Sequence, residues 1–255
     1  MNKNKKKVLR LFVDMDGTLC KWGNVSSEEE LYREGYFRNL EPTPLVEHIK
    51  TISDMNDSIF GRPEVYILTH FLPDSANCVC EKKEWIEKYL PGLKENALFV
   101  PRNVSKADYF ESVKNSINCK DTEYVDVLID DYTENLLAWS EKGYESIKVL
   151  NGINHSKGTW TGYMFESNNR VELLGILCEI YEMNCKEEKN FVDVFTFKIP
   201  NYVFESLGNS DIDIDVSNLV DFLSNDRKTF IEQKEISSAE YDELIFYLIK
   251  ELANK

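Results

Sequence analysis

Short apolar runs separated by amphipathic stretches dominate the chain up to about residue 185. The runs at 8–13, 64–68, 97–100, 124–129 and 146–150 are short and rich in Val, Ile, Leu and Phe, as strands covered on both faces are. Between and after them, apolar positions recur at three- and four-residue spacing. This spacing predicts helices over 44–55, 74–90, 106–117, 133–142 and 170–182. The punctuation agrees. Pro42-Thr43-Pro44 precedes the first helix, Asp74 and Ser75 are N-cap candidates for the second, Pro91-Gly92 stops it, and Gly143 closes the fourth. Alternation of this kind predicts an α/β fold, a Rossmann-like parallel sheet with helices on both faces.

Two stretches break the rhythm. Residues 20–40 follow the first strand, are polar and aromatic, and offer no strand of their own. They read as a small insertion over the mouth of the sheet, dividing a core made of residues 1–19 and 41–184. Near 184–190 the alternation ends. Residues 191–199 read as a strand, 211–215 as an acidic stretch, and 217–223 and 238–252 as helices, together an α+β appendage over 190–255. No internal repeat or low-complexity tract is present.

Composition narrows the function classes. With 42% hydrophobic and 29% charged residues, the chain reads as a soluble globular protein. No apolar run approaches the roughly 18 residues that a membrane helix needs. The lysines at 3 and 5–7 run straight into the first strand without a cleavage pattern, so they read as a solvated lead-in rather than a leader. A net charge of −15 disfavours nucleic-acid polymers and anionic membranes. It leaves room for a small phosphorylated substrate where a metal reverses the local field. Cysteines at 20, 78, 80, 119, 178 and 185 show no metal-knuckle spacing, and they read as reduced thiols of a cytoplasmic protein. The sequence leaves a homodimer open.

The chemistry concentrates at the end of the first predicted strand, in Phe12-Val13-Asp14-Met15-Asp16-Gly17-Thr18-Leu19. Residues two apart on a strand project to one side. Asp14 and Asp16 therefore sit together at the carboxyl edge, where open α/β sheets place ligands, and Gly17 lets the chain turn away. Two close carboxylates must bind a cation, keep a proton, or both. An ionised nucleophile, a neighbouring acid and a metal are what phosphoryl transfer requires. A strand-capping turn or a plain divalent-ion site would use the same residues.

Asp14-x-Asp16-Gly17-Thr18 resembles the first motif of the haloacid dehalogenase (HAD) phosphatases, and three further elements follow in that family's order. Val65-Tyr66-Ile67-Leu68-Thr69 is similar to the second, whose hydroxyl binds phosphoryl oxygens. Lys106 matches the third-motif lysine, which balances the charge of the nucleophile and the phosphate. Asp130-Asp131, after Val125–Ile129, resembles the fourth, which supplies metal-ligating carboxylates. The resemblance implies catalysis by Asp14 and Asp16, and phosphate binding by Thr69 and Lys106. It also implies Mg2+ held by Asp14, the main-chain carbonyl of Asp16, and a carboxylate of Asp130-Asp131.

Phe37-Arg38-Asn39-Leu40-Glu41-Pro42 and the stretch from Cys80 through Trp85 are similar to the 5′(3′)-deoxyribonucleotidase branch of that family. The resemblance covers about residues 8–180 and implies a nucleoside monophosphate substrate. The chain departs from the branch in having only about twenty residues where the branch carries a long helical cap. Trp22, Tyr32, Tyr36 and Phe37 in the insertion are candidates for stacking on a base or for cap-to-core packing. His70 is a further candidate substrate contact, and Trp85 reads as core. His48 and His155 show no ligand partners in the sequence. A phosphatase for another small phosphomonoester, such as a sugar phosphate, and a catalytically idle regulatory protein on the same fold are the competing readings.

Overall fold

The computed structural model describes residues 7–23, 25, 27–54, 63–119, 122–152 and 159–185. The chain divides into two compact units, Met1–Asn184 and Cys185–Lys255, and all but the last of the described residues belong to the first. The predicted appendage, the lysine lead-in before Lys7 and His155 lie outside the described residues.

Among the described residues, six strands form one all-parallel sheet: β1 (Lys7–Val13), β2 (Glu64–Phe71), β3 (Ala97–Pro101), β4 (Glu123–Asp130), β5 (Glu145–Leu150) and β6 (Tyr163–Glu166). Their order across the sheet is β3-β2-β1-β4-β5-β6. The helices are α1 (Leu45–Asp54), α2 (Cys78–Tyr89), α3 (Lys106–Ile117), α4 (Thr133–Glu141) and α5 (Arg170–Cys185). The chain winds from β1 outward through β2 to β3, then returns to the other side of β1 and winds outward again through β4, β5 and β6. The winding reverses between β1 and β4, and the crevice at the carboxyl end of that pair is where such sheets bind ligands.

Both faces of the sheet are covered. On one, Phe12, Leu68, Val100 and Leu128 pack with Ala107 and Phe110 of α3 and with Leu136 and Trp139 of α4. Phe12 lies 4.7 Å from Phe110 and 5.3 Å from Trp139 between ring centres. Each such pair adds about 0.5–1.5 kcal/mol beyond simple burial. Residues alternating with these, among them Leu11, Val13, Ile67 and Ile129, point to the opposite face and are equally inaccessible. There α1 packs near β2, and Arg170 of α5 bonds Thr51 of α1. At the amino end of the sheet, buried Arg10 pairs with Asp126 at 2.6 Å and lies 4.0 Å from the centre of the Tyr124 ring.

The differences from the sequence reading are local. β2 continues through Thr69 and His70 to Phe71, because pairing with β3 carries the ladder past the last aliphatic residue. The second helix begins at Cys78 rather than 74. Ser75 is spent inside the preceding turn, where its hydroxyl accepts the Cys78 N–H at 3.2 Å. β6 was not predicted. It is a four-residue edge strand in which Phe165 alone is buried, so its pattern carries little signal. Between residues 20 and 40 the chain forms two short 3-10 turns, Glu28–Tyr32 and Phe37–Asn39. Cys20 makes single bridges to Asp16 and Pro42. Among the described residues no helix is long and apolar enough to cross a membrane.

Candidate functional site

Strand register builds the centre of the site. Val13 pairs with Ile129, and the Asp14 N–H donates to the Ile129 carbonyl at 2.9 Å. The two neighbouring strands therefore deliver Asp14 and Asp130-Asp131 to the same edge. Asp14, Asp130 and Asp131 are all buried, and each can offer an oxygen within 4.8 Å of the others. Gly17 makes this possible. Its φ of 83° suits a residue without a side chain, and a Cβ there would collide with the Asp131 carboxylate.

Lys106 opens α3 and reaches in from the other side. Its Nζ pairs with Asp14 and lies 2.7 Å from Asp130 Oδ2, with the lysine side chain 1% exposed. Burial works against the ammonium, but Asp130 and Asp14 outweigh it and hold it above its ordinary range. For Asp14 the balance runs the other way. Burial pushes its carboxyl well above the usual carboxylate range, aided by Asp130, Asp16 and Asp131 and opposed by Lys106. Asp130 is itself fully engaged. The Tyr132 N–H donates to Oδ1 at 2.8 Å, and Asn135 donates to Oδ2 at 2.9 Å.

The structure separates Asp16 from this cluster. Its carboxylate pairs instead with Lys82 of α2, whose Nζ also donates to Thr69 Oγ1 at 2.8 Å and to the His70 carbonyl at 2.7 Å. Four carboxylates (Asp14, Asp16, Asp130, Asp131) thus meet two directly paired ammonium groups (Lys82, Lys106). A third buried ammonium, Lys148, stands at the Asp131 carbonyl 2.9 Å away, so the acids outnumber the nearby cations by one. An uncompensated buried charge is costly, and hard carboxylate oxygens suit Mg2+, Ca2+ or Mn2+. The three buried aspartates can hold such an ion.

A cavity of about 830 Å³ opens above these residues. Asp14, Asp16, Asp130 and Asp131 line its floor, and Trp22, Leu31, Phe37, His70 and Arg102 are among its walls. Of the candidate substrate contacts, Trp22, Phe37 and His70 line the cavity. Tyr36 does not line the cavity. Its ring packs edge-on against Phe37 at 4.9 Å and lies against Gly23, which is packing within the insertion. Tyr32 is likewise outside the lining and 40% exposed. The His70 Nε2–H donates to the Val104 carbonyl at 3.0 Å. Burial and the Lys106 charge push its pKa down, which favours the neutral ring.

α2 also fastens the insertion. The Glu81 carboxylate accepts the Phe37 N–H at 3.0 Å as well as the Gly35 N–H, and it pairs with Arg38 at 3.3 Å. The Trp85 Nε1–H donates to the Leu40 carbonyl at 2.8 Å, so Trp85 is core, fixing the return of the insertion.

Sequence reasoning gave no site role to Lys82, Asn135, Lys148 or Asn151. Lys82 was hidden in the charged run Glu81-Lys82-Lys83-Glu84, which looks solvated. Yet Cys78, Glu81, Lys82, Trp85 and Ile86 are the buried residues of α2, spaced as one stripe of a helix, and that spacing could have exposed it. No protein-family model matches the chain, and a search of curated proteins finds no match.

Proposed function

We propose that this chain is a magnesium-dependent phosphomonoester hydrolase of the HAD type, working through an aspartyl-phosphate and acting on nucleoside monophosphates. The observation that carries the reading is the division of labour between the two aspartates. Asp14 is clustered with Asp130, Asp131 and Lys106, whereas Asp16, two residues on, is held apart by Lys82 at the edge of the cavity.

In this reading an Asp14 oxygen attacks phosphorus as the bond to the ester oxygen breaks. Asp16, in its protonated form, gives that proton to the departing alkoxide. Asp16 then takes a proton from a water molecule, whose oxygen attacks the phosphoryl group. Inorganic phosphate leaves, and the Asp14 carboxylate is restored. Lys106 favours the ionised form of Asp14 against the effect of burial and offsets charge as phosphate arrives. Thr69 Oγ1 accepts at 2.8 Å from the same Lys82 Nζ that pairs with Asp16, and its hydroxyl would face a phosphoryl oxygen. Asp14, Asp130 and Asp131 would hold Mg2+, which would lower the cost of bringing a phosphate dianion to a carboxylate.

The substrate class rests on the cavity. Its volume suits a nucleotide-sized molecule, and Trp22, Leu31 and Phe37 offer apolar surface beside its charged floor. The deciding experiment is hydrolysis of an aryl phosphate with and without Mg2+, followed by a panel of 5′- and 3′-nucleoside monophosphates beside sugar phosphates. No magnesium-dependent turnover would defeat the enzymatic reading. A sugar phosphate exceeding every nucleotide tenfold would leave the phosphatase chemistry and remove the nucleotidase assignment.

A further inference from the structure

Asn151, the first residue after β5, lines the cavity on the side of Asp131. Its amide Nδ2 donates to the Gly17 carbonyl at 2.8 Å and to Asp131 Oδ2 at 2.9 Å. An amide nitrogen carries two hydrogens, so both bonds can be made together. They join the turn after β1 to the acid after β4, at the place where Gly17 lies too close to Asp131 to admit a side chain. The other Asp131 oxygen is held by the Thr18 hydroxyl at 3.4 Å, and Thr18 Oγ1 in turn accepts the Asp131 N–H at 3.1 Å. β5 secures the backbone as well. Lys148 Nζ donates to the Asp131 carbonyl at 2.9 Å and to Thr133 Oγ1 at 2.7 Å.

We infer that Asn151 is a positioning residue for a divalent cation, fixing the rotation of the Asp131 carboxylate toward Asp14. This rests on the cation reading given above. Three neighbouring carboxylates repel one another, and Asp131 borders the open cavity into which it could turn. Asn151 prevents that rotation with a neutral donor, so it orients the ligand without cancelling the charge that attracts the ion. Partners of this kind, one bond removed from the metal, typically change affinity about 10–100-fold when lost.

The test uses the full chain and Mn2+ as probe, with free ion counted by its electron paramagnetic resonance signal. Wild type is compared with Asn151→Ala and with Asn151→Leu, which keeps the volume should the alanine variant not fold. Circular dichroism and the thermal midpoint in EDTA report folding. The expected result is a dissociation constant raised about tenfold or more, with the midpoint in EDTA nearly unchanged and a smaller rise on adding Mn2+. The reaction should need more cation for half-maximal rate. Unchanged Mn2+ affinity in a folded variant overturns the role of Asn151 and leaves the cation site standing. A lower midpoint in EDTA with unchanged affinity assigns Asn151 to the fold alone and also overturns it. No Mn2+ binding by wild type defeats the cation reading itself, and this inference with it.

Discussion

Replacing Lys106 by methionine tests the charge balance of the site directly. The lysine side chain is 1% exposed and touches two carboxylates that are themselves buried, Asp14 and Asp130. Methionine fills much of the same volume but leaves Asp14 and Asp130 without the ammonium that pairs with them. Removing one partner of a buried ion pair typically costs about 3–5 kcal/mol. Against a total stability of about 5–15 kcal/mol, and at about 2–4 °C per kcal/mol for a domain of this size, the midpoint in EDTA should fall by roughly 6–20 °C. The loss should depend on pH. Without Lys106, which opposes the upward shift of Asp14, that carboxyl takes up its proton more readily in the folded state, so stability falls as pH rises and the deficit is larger at pH 8 than at pH 5. Mg2+ should restore more of the midpoint in the variant than in wild type, because it supplies the missing positive charge. Thermal melts at the two pH values, with EDTA and with Mg2+, measure all three effects. A deficit below about 1 kcal/mol that is also independent of pH would refute the view that Lys106 balances buried charge.

Asp16→Asn should nearly abolish turnover of alkyl phosphates yet spare an aryl phosphate, whose phenolate departs without a proton. Equal losses on both would assign Asp16 a structural role. Lys82→Met should lower kcat on alkyl phosphates by about 10²–10⁴, the usual worth of acid–base catalysis, with a smaller change in KM. A change confined to KM would make Lys82 a binding group. Asp14 has its pKa raised in the fold from 3.8, so ionising it costs stability as pH climbs from that value through the raised one. A cation should remove this cost, and the rise in thermal midpoint on adding Mg2+ should be greater at pH 8 than at pH 5. An equal rise at both would mean that the proton on Asp14 and the cation do not compete.

The fold was legible wherever a segment was buried on both faces. β1, β4 and β5 announce themselves as aliphatic runs because no solvent-facing side has to be polar. β6 was invisible for the complementary reason: an edge strand of four residues with one buried side chain has no such run. In the site, Asp14, Asp16 and the Asp130-Asp131 pair could be picked out because acids at the ends of apolar strands conflict with their surroundings, whereas Lys106 stood out only through the family resemblance. Lys82 conflicts equally, but its charged neighbours in the chain masked it, and the helical spacing shared with Trp85 had to be weighed to see it. Asn151 carries no charge and makes no conflict. Only the meeting of three strand ends shows what its amide can hold.

α2 gives the site a further property. Successive residues of one helix turn serve different parts: Glu81 ties down the insertion, Lys82 holds Asp16, and Trp85 grips the end of the insertion at Leu40. The wall proposed to meet the substrate and the group proposed to move protons are thus mounted on a single bracket. An exchange of residues 20–40 for a longer or different loop, with the aim of changing specificity, has to satisfy Glu81 and Trp85 at its return. A graft that does not will tilt the helix and disturb Asp16 along with the pocket. Engineered specificity in this scaffold should therefore be sought by transplanting the loop and α2 together, as one interchangeable cassette.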